Sequence, residues 1–153
     1  MKAISVRQPW ASLVVKGAKC LEISDFSLES GEEVLVYAEP IDANDPCLKN
    51  NEYVNWFIDD CEDLPEDCII GKLTILRTDP AEKLIYAKVW PEAFTTRQEK
   101  EIEFSFNDFK KGNFAWTLSQ PVEFEVPLPR NFATGFWNSN FKNEKNTPEH
   151  IMV

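Results

Sequence analysis

The chain has 153 residues, of which 43% are hydrophobic and 27% charged, a composition typical of one globular domain rather than a disordered or fibrous chain. Its formal net charge of −10, from 26 acidic against 16 basic residues, repels polyanions at long range. A broad phosphate-binding surface is therefore disfavoured, and any nucleic-acid role would need a local basic groove.

The chain opens with a predicted strand followed by a helix. Residues 3–6 predict a short strand, and Pro9 begins a helix that extends to Lys16, because proline is tolerated in the first helical turn. Gly17 then supplies a left-handed cap. Trp10 shares a helix face with two apolar residues, which favours core packing over the stacking of a base.

The next segment predicts a strand pair joined by a turn. Residues 19–23 are compatible with an extended strand, on which Lys19 and Glu22 fall on opposite faces and converge only if the strand bends or bulges. A turn centred on Gly31 leads to residues 34–38. This run is almost continuously apolar, which predicts a central, buried strand.

A helix is predicted over residues 46–60 from the spacing of its apolar side chains, with Asp45 as its cap. Residues 59–67 then place six carboxylates in nine positions, and Pro65 prevents a helix there. This pattern predicts an exposed acidic loop without the ligand spacing of a calcium site. The loop is a candidate contact for a basic protein partner.

A long strand is predicted over residues 68–76, in which Gly71 marks a bulge or a close approach of another backbone. The region that follows is less regular. It contains a possible strand at 84–90 and possible helical turns at 96–103.

Two more strands are predicted near the end, over residues 112–118 and 122–126, with an edge or bend at Pro121 between them. The polar residues 138–153 are predicted to be a loosely ordered tail. The predicted domain therefore spans residues 1–137.

These elements predict an α+β fold: a small β-barrel of five to six strands, with one N-terminal helix and one or two further helices at its mouth. Closure would bury this many apolar strands without leaving open edges. Trp116 and Trp137 are candidates for the core. The strand order stays open, because the pattern alone does not determine topology.

The cysteines and the single histidine do not form a metal-binding pattern. No two cysteines are spaced as Cys-x-x-Cys, and the histidine is His150, so no metal site and no cofactor are predicted. Scattered cysteines in a chain of this size favour reduced thiols, and no run approaches the ~20 apolar residues that span a bilayer. A cytoplasmic protein without membrane contact is expected. The four cysteines are Cys20, Cys47, Cys61 and Cys68.

The segment from Ile4 to Glu22 resembles the opening of ASCH domains, which belong to the PUA-like superfamily. It contains Gln8-Pro9-Trp10-Ala11 at a helix start, followed by Gly17-x-Lys19-x-x-Glu22. Three later parts of the chain also resemble the family pattern, and they extend the resemblance over most of the chain. They are Gly71 and the segments 112–116 and 135–137. The resemblance implies a PUA-like barrel and a cleft beside the first helix that takes RNA, single-stranded DNA or a nucleoside-like ligand.

The chain departs from the family pattern at three positions. A hydrolytic branch of the family, acting on acetylated cytidine, uses a lysine, a threonine three positions later and a glutamate on a later strand. Lys19 matches the lysine, but Glu22 stands in the threonine's place and residues 71–77 contain no carboxylate. Ser24 stands where the family usually has an arginine. These departures favour a binding cleft over a catalytic one.

Three hypotheses follow for function. The first is an RNA- or nucleotide-binding module, in which Lys19→Glu is expected to abolish binding and leave the melting temperature nearly unchanged. The second is a ribonuclease or amidohydrolase with Lys19 and Glu22 in the active site. The third is an adaptor that meets a basic protein through the acidic loop. The candidate ligand-binding residues are Arg7, Gln8, Trp10, Lys19 and Glu22.

Overall fold

The structure is a computed structural model that describes residues 1–85, 96–133 and 135–136. Six strands form one sheet in the order β2-β5-β4-β3-β1-β6. The strands are β1 (Lys2–Arg7), β2 (Leu21–Ser24), β3 (Glu33–Glu39), β4 (Cys68–Pro80), β5 (Phe114–Leu128) and β6 (Gly135–Phe136).

The sheet is mixed and curls into a half-barrel. Strand β1 runs parallel to both β3 and β6, whereas β2, β3, β4 and β5 meet in antiparallel pairs. The predicted α+β class with five to six strands is confirmed, and residues 34–38 lie in the predicted central strand, β3. The predicted domain boundary at 137 lies outside the described residues, as do Trp137 and the predicted tail.

Irregularities in β4 and β5 bend the sheet. The register between these strands shifts next to Gly71, where an added Cβ would lie 2.2 Å from the carbonyl oxygen of Val122. Such an approach leaves room only for glycine, and the predicted close contact is confirmed. The two strands predicted around Pro121 are halves of β5, and a φ of 49° at Gln120 marks the predicted bend between them.

Helix α1 (Trp10–Val15) packs against β3, β4 and β5, and all six of its residues are buried. It follows a cis peptide bond between Gln8 and Pro9 and ends at Gly17, whose φ of 81° is the predicted left-handed cap. The main hydrophobic core lies between α1 and the sheet. It includes Leu13 and Trp116, of which Trp116 was a predicted core residue.

The helix predicted over residues 46–60 is wrong. Only a short 3-10 helix (Glu52–Trp56) forms there, because Asn50 adopts a left-handed φ of 58° and the Asn51 side chain accepts a hydrogen bond from the Tyr53 amide. These two residues interrupt a continuous helix and start a new turn. The apolar spacing reflects the burial of Val54 and Ile58 rather than a helix face.

The irregular second half contains two helices, α2 (Ala81–Ile85) and α3 (Arg97–Ser105). The predicted strand at 84–90 is wrong at its start, because Leu84 belongs to α2, and its remainder lies outside the described residues. The predicted helical turns at 96–103 are confirmed. Thr96 caps α3 by accepting a hydrogen bond from the Glu99 amide.

Residues 59–67 are mainly exposed, as predicted, and contain a 3-10 helix (Cys61–Asp63). A third 3-10 helix (Arg130–Phe132) follows β5. The four cysteines are unpaired. Within the described ranges, the helices are too short or too polar to cross a bilayer.

Candidate ligand-binding site

Lys19 is buried beside the end of α1. The turn at Gly17 lets the Lys19 amide donate to the carbonyl oxygen of Leu13, and the side chain then runs inward with an exposed fraction of only 2%. Its ammonium group donates to the Leu21 carbonyl oxygen, to Glu22 Oε2 at 3.2 Å and to Asn107 Oδ1 at 2.9 Å. All three N–H donors of the ammonium therefore have an acceptor.

Glu22 lies on β2 and meets Lys19 without a bulge. Strand β2 begins only at Leu21, so Lys19 precedes the strand and is not bound by its alternation of faces. The second oxygen of Glu22 is 3.6 Å from Lys111 Nζ, close to the start of β5. Burial raises the pKa of Glu22, but the two lysines outweigh it and the net pKa is lowered, so the carboxylate is ionised at neutral pH.

A second buried carboxylate supports this pair from α3. Glu103 accepts hydrogen bonds from the amides of Cys20 at 2.6 Å and Leu21 at 3.3 Å. Its Oε2 also accepts from Asn107 Nδ2 at 2.9 Å, which leaves Asn107 Oδ1 directed to Lys19. Burial raises the pKa of Glu103. Lys19 and the hydrogen bonds lower this pKa by less, so the net pKa is raised. We call Lys19, Glu22, Glu103 and Asn107 the buried polar cluster.

Arg7 lies at the rim of the site, and buried Trp10 lies in its wall. The Arg7 guanidinium is at the end of β1, where its side chain is 40% exposed and pairs with Glu39 at 3.7 Å and Asp42 at 3.2 Å. The indole N–H of Trp10 donates to Asp45 Oδ2 at 2.7 Å. Its ring packs in the core, as predicted, and turns one edge to the site.

These side chains enclose one cavity of about 40 Å³, which we call the pocket. One water molecule needs about 10–15 Å³ of such cavity space, so the pocket holds a few water molecules or one small polar group. The lining combines apolar side chains with three cations and three carboxylates, which are Arg7, Lys19, Lys111, Glu22, Asp45 and Asp108. The lining residues used below are Arg7, Trp10, Lys19, Glu22, Asn107 and Lys111.

Four of the five predicted binding residues thus line the same pocket, and Gln8 does not. Gln8 is buried, and its side chain accepts a hydrogen bond from the Ser12 amide at 3.0 Å and donates to the Pro65 carbonyl oxygen at 2.8 Å. Both ends of its amide are used in tying α1 to the acidic loop. A ligand-binding role for all five residues stays a prediction.

Glu103, Asn107 and Lys111 were missed by the sequence reasoning. Glu103 and Asn107 reach the site through hydrogen bonds to residues 19–21, and Lys111 through its ion pair with Glu22. One signal lay in Thr96-x-x-Glu99, a capping box that places a helix start there and hence Glu103 and Asn107 one turn apart. Another was Gly112, whose Cβ would lie 2.2 Å from the Ser24 carbonyl oxygen, so that glycine brings Lys111 next to β2.

One cysteine thiol lies at the wall of the pocket. Cys47 is at its wall, and burial, together with Asp45 and Asp108, raises the pKa of its thiol to about 11. The thiol is protonated at neutral pH and is a poor nucleophile. In the part of the chain that the structure describes, no three side chains of His, Cys, Asp or Glu come together as metal ligands.

Comparisons with known proteins give matches only among solved structures. No protein-family model matches the chain, and no curated protein does. The ASCH protein from Zymomonas mobilis is 16% identical, with a TM-score of 0.43 over 83% of this chain and 71% of that one. Two single-substitution variants of it are 16% and 15% identical, with TM-scores of 0.43 over 83% of this chain and 72% and 73% of theirs.

Proposed function

We propose that this chain is an ASCH-type binding module for a nucleotide or the end of an RNA strand, which inserts one polar group of a base edge into the pocket while the rest of the nucleotide lies at the rim. The observation that supports this most is the convergence of Lys19 and Glu22, from the motif resemblance, with Arg7 at the rim. Two residues outside the motif, Asn107 and Lys111, complete the same pocket.

The chemistry of the pocket fits the edge of a base next to a phosphate. Glu22 is an ionised acceptor, and carboxylates recognise amino groups of bases such as that of cytosine. Lys111 and Arg7 are partly exposed, with side chains 35% and 40% accessible, and can reach a phosphate at the rim. The family pattern usually has an arginine at the position of Ser24. Lys111 supplies a cation to the site in its absence.

Binding is favoured over catalysis by the position of Lys19. A general base or nucleophile needs a nitrogen that can reach the substrate, whereas Lys19 Nζ is buried and is surrounded by three acceptors of the protein itself. Lys19 therefore orients Glu22 rather than reacting. Because it is buried, its replacement is expected to cost stability, which revises the expectation of an unchanged melting temperature.

The test uses Lys111→Ala with Lys72→Ala as its matched control. Lys72 is 37% exposed and 3.5 Å from Glu33, which nearly equals the exposure and ion-pair distance of Lys111, but it lies on β4 outside the pocket. Calorimetric titration with the four ribonucleoside monophosphates should show one or more that bind. Affinity should fall by about tenfold in Lys111→Ala and stay unchanged in Lys72→Ala.

The proposal fails if none of the four nucleotides binds, or if both variants bind as the unsubstituted chain does. Incubation with single-stranded RNA and with acetylated cytidine provides the catalytic comparison. Product formation that depends on Lys19 would replace the binding proposal with a hydrolase.

A further inference from the structure

Two large aromatic side chains are exposed on the segment between β3 and β4. Trp56 is 57% and Phe57 41% accessible, although large apolar side chains are usually buried. They are consecutive, at the end of the 3-10 helix Glu52–Trp56. An exposed apolar patch with a polar rim is a common mark of a surface that contacts another molecule.

Both rings are held in place by the residues around them. The Trp56 ring meets the Tyr53 ring edge to face at 5.0 Å, and the Phe57 ring meets the Phe106 ring at 6.4 Å. Val54, in the same turn, is only 2% exposed and anchors the turn in the main core. Rings that are already fixed lose little conformational entropy when a ligand stacks on them, so this surface is preorganised for a contact.

The same segment carries many carboxylates and no cation. Between Lys49 and Lys72 the sequence contains seven acidic residues and no lysine, arginine or histidine. Five of these carboxylates are exposed, and within the described part of the chain none of the five has an ion-pair partner. A cation supplied by a partner therefore displaces no cation of the chain itself. The five are Glu52, Asp59, Asp60, Glu62 and Asp63.

Arginine is the side chain that fits exposed rings with carboxylates around them. Its planar guanidinium group stacks on an aromatic face and can donate N–H hydrogen bonds to carboxylates from its edge. Lysine supplies the charge without the flat stacking surface. A second copy of this chain would bring the same carboxylates to the contact, and a nucleic acid would bring phosphates, so repulsion between like charges opposes both.

We propose that Trp56, Phe57 and the five exposed carboxylates form a docking surface for an extended, arginine-rich segment of a partner protein. We call it the aromatic-acidic surface. One arginine stacks on Trp56, and others pair with Asp59 and Asp60, which lie at most about 15 Å away along the chain. An extended segment covers that distance in about five residues. None of these residues lines the pocket, so the inference goes beyond nucleotide binding and is independent of it.

The experiment titrates the peptide Arg-Gly-Arg-Gly-Arg-Gly-Arg into the full chain by calorimetry at low salt. The peptide should bind, and its lysine analogue should bind about threefold more weakly, because lysine stacks less well. Trp56→Ala should weaken binding of the arginine peptide about threefold to fivefold, as expected for one exposed cation–π contact. Phe132→Ala should leave it unchanged, since Phe132 is 54% exposed but lies in the 3-10 helix after β5.

The carboxylates are tested by the triple change Asp59→Asn, Glu62→Gln and Asp63→Asn, against a control with the same loss of charge. The control neutralises three exposed carboxylates outside the surface, in Glu29→Gln, Glu82→Gln and Glu125→Gln. The first triple change should weaken binding of the arginine peptide by about tenfold, and the control by less than about twofold.

The proposal is overturned if the peptide does not bind at about 1 mM, or if Trp56→Ala binds it as the unsubstituted chain does. Equal losses in the two triple variants would show attraction by overall charge alone and would also overturn it. Nucleoside monophosphates should not compete with the peptide, since competition would place the peptide in the pocket. Sedimentation should show no dimer that Trp56→Ala removes, because such a dimer would mean that a second copy covers the surface.

Discussion

Two regions of the molecule are rich in carboxylates, and their surroundings differ. In the buried polar cluster, Glu22 and Glu103 are 7% and 2% exposed, and each has defined partners. The acidic loop, residues 59–67, contains six carboxylates that are mainly in water. Charges in water are screened within about 8 Å at physiological salt, whereas buried charges keep their interactions. Burial and partners, rather than the number of acidic residues, distinguish carboxylates that are held in one position from carboxylates that are solvated.

The largest effect should come from removing the cation of the buried polar cluster. Lys19→Ala leaves the Glu22 carboxylate buried beside only Lys111 and leaves Asn107 Oδ1 without its donor. We expect a loss of about 3–5 kcal/mol in the free energy of unfolding, measured by urea titration. Lys72→Ala, which breaks an exposed pair, should change it by less than about 0.5 kcal/mol. Equal losses of stability in the two variants would contradict the difference between buried and exposed ion pairs.

The pH dependence of stability should identify Glu22 as an ionised partner. Because its folded-state pKa lies below the ordinary 4.5, Glu22 contributes stability above that pH, and this contribution is lost as the pH falls through the folded-state value. Glu22→Gln should therefore be less stable by about 2 kcal/mol at pH 7 and approach the unsubstituted chain below pH 4.5. A difference that stays constant with pH would argue against ionisation of Glu22.

Glu103 should show the opposite sign, with a smaller net effect at neutral pH. Its folded-state pKa is raised above 4.5, so its contribution is present below that pH and is lost as the pH rises through the folded-state value. The stability of Glu103→Gln relative to the unsubstituted chain should therefore improve from pH 4 to pH 7. Urea titrations at both pH values measure this, and a relative stability that declines would show that Glu103 is stabilised in its ionised form.

The smallest effect should come from the acidic loop. Asp60 and Asp67 are left in place, because the first caps a 3-10 helix and the second accepts a hydrogen bond from Tyr37. The triple change Asp59→Asn, Glu62→Gln and Asp63→Asn should alter the free energy of unfolding by less than about 0.5 kcal/mol. Any gain in nucleotide affinity should vanish at high salt. Loss of capture on a basic peptide column would support the adaptor hypothesis instead.

The parts of the fold that depend on local chemistry could be predicted from the sequence. The left-handed φ of Gly17 follows from the residue type itself. The strands β3 and β5 follow from apolar or alternating runs of adjacent residues. The failure over residues 46–60 has the same origin, because the apolar spacing there was compatible with a helix and the left-handed Asn50 was overlooked.

Only the part of the site that is close together in the sequence could be predicted. Lys19 and Glu22 are three positions apart, so a motif shows both. Asn107 follows Lys19 by 88 positions, and tertiary folding brings the two side chains together. No periodicity reports a contact of that kind. A capping box identifies where α3 begins, but not the strand it will face.

The separation of Lys19 from Asn107 and Lys111 also governs when the site can exist. During synthesis the motif emerges first, while the acceptor and the second cation that complete the pocket follow more than 80 residues later. A nascent chain that has formed α1 and β3 therefore has the local partners of Lys19, Leu21 and Glu22, but lacks Asn107, Lys111 and the pocket. Ligand binding would draw only on the finished domain, and so would stabilise the folded chain by mass action without capturing its folding intermediates.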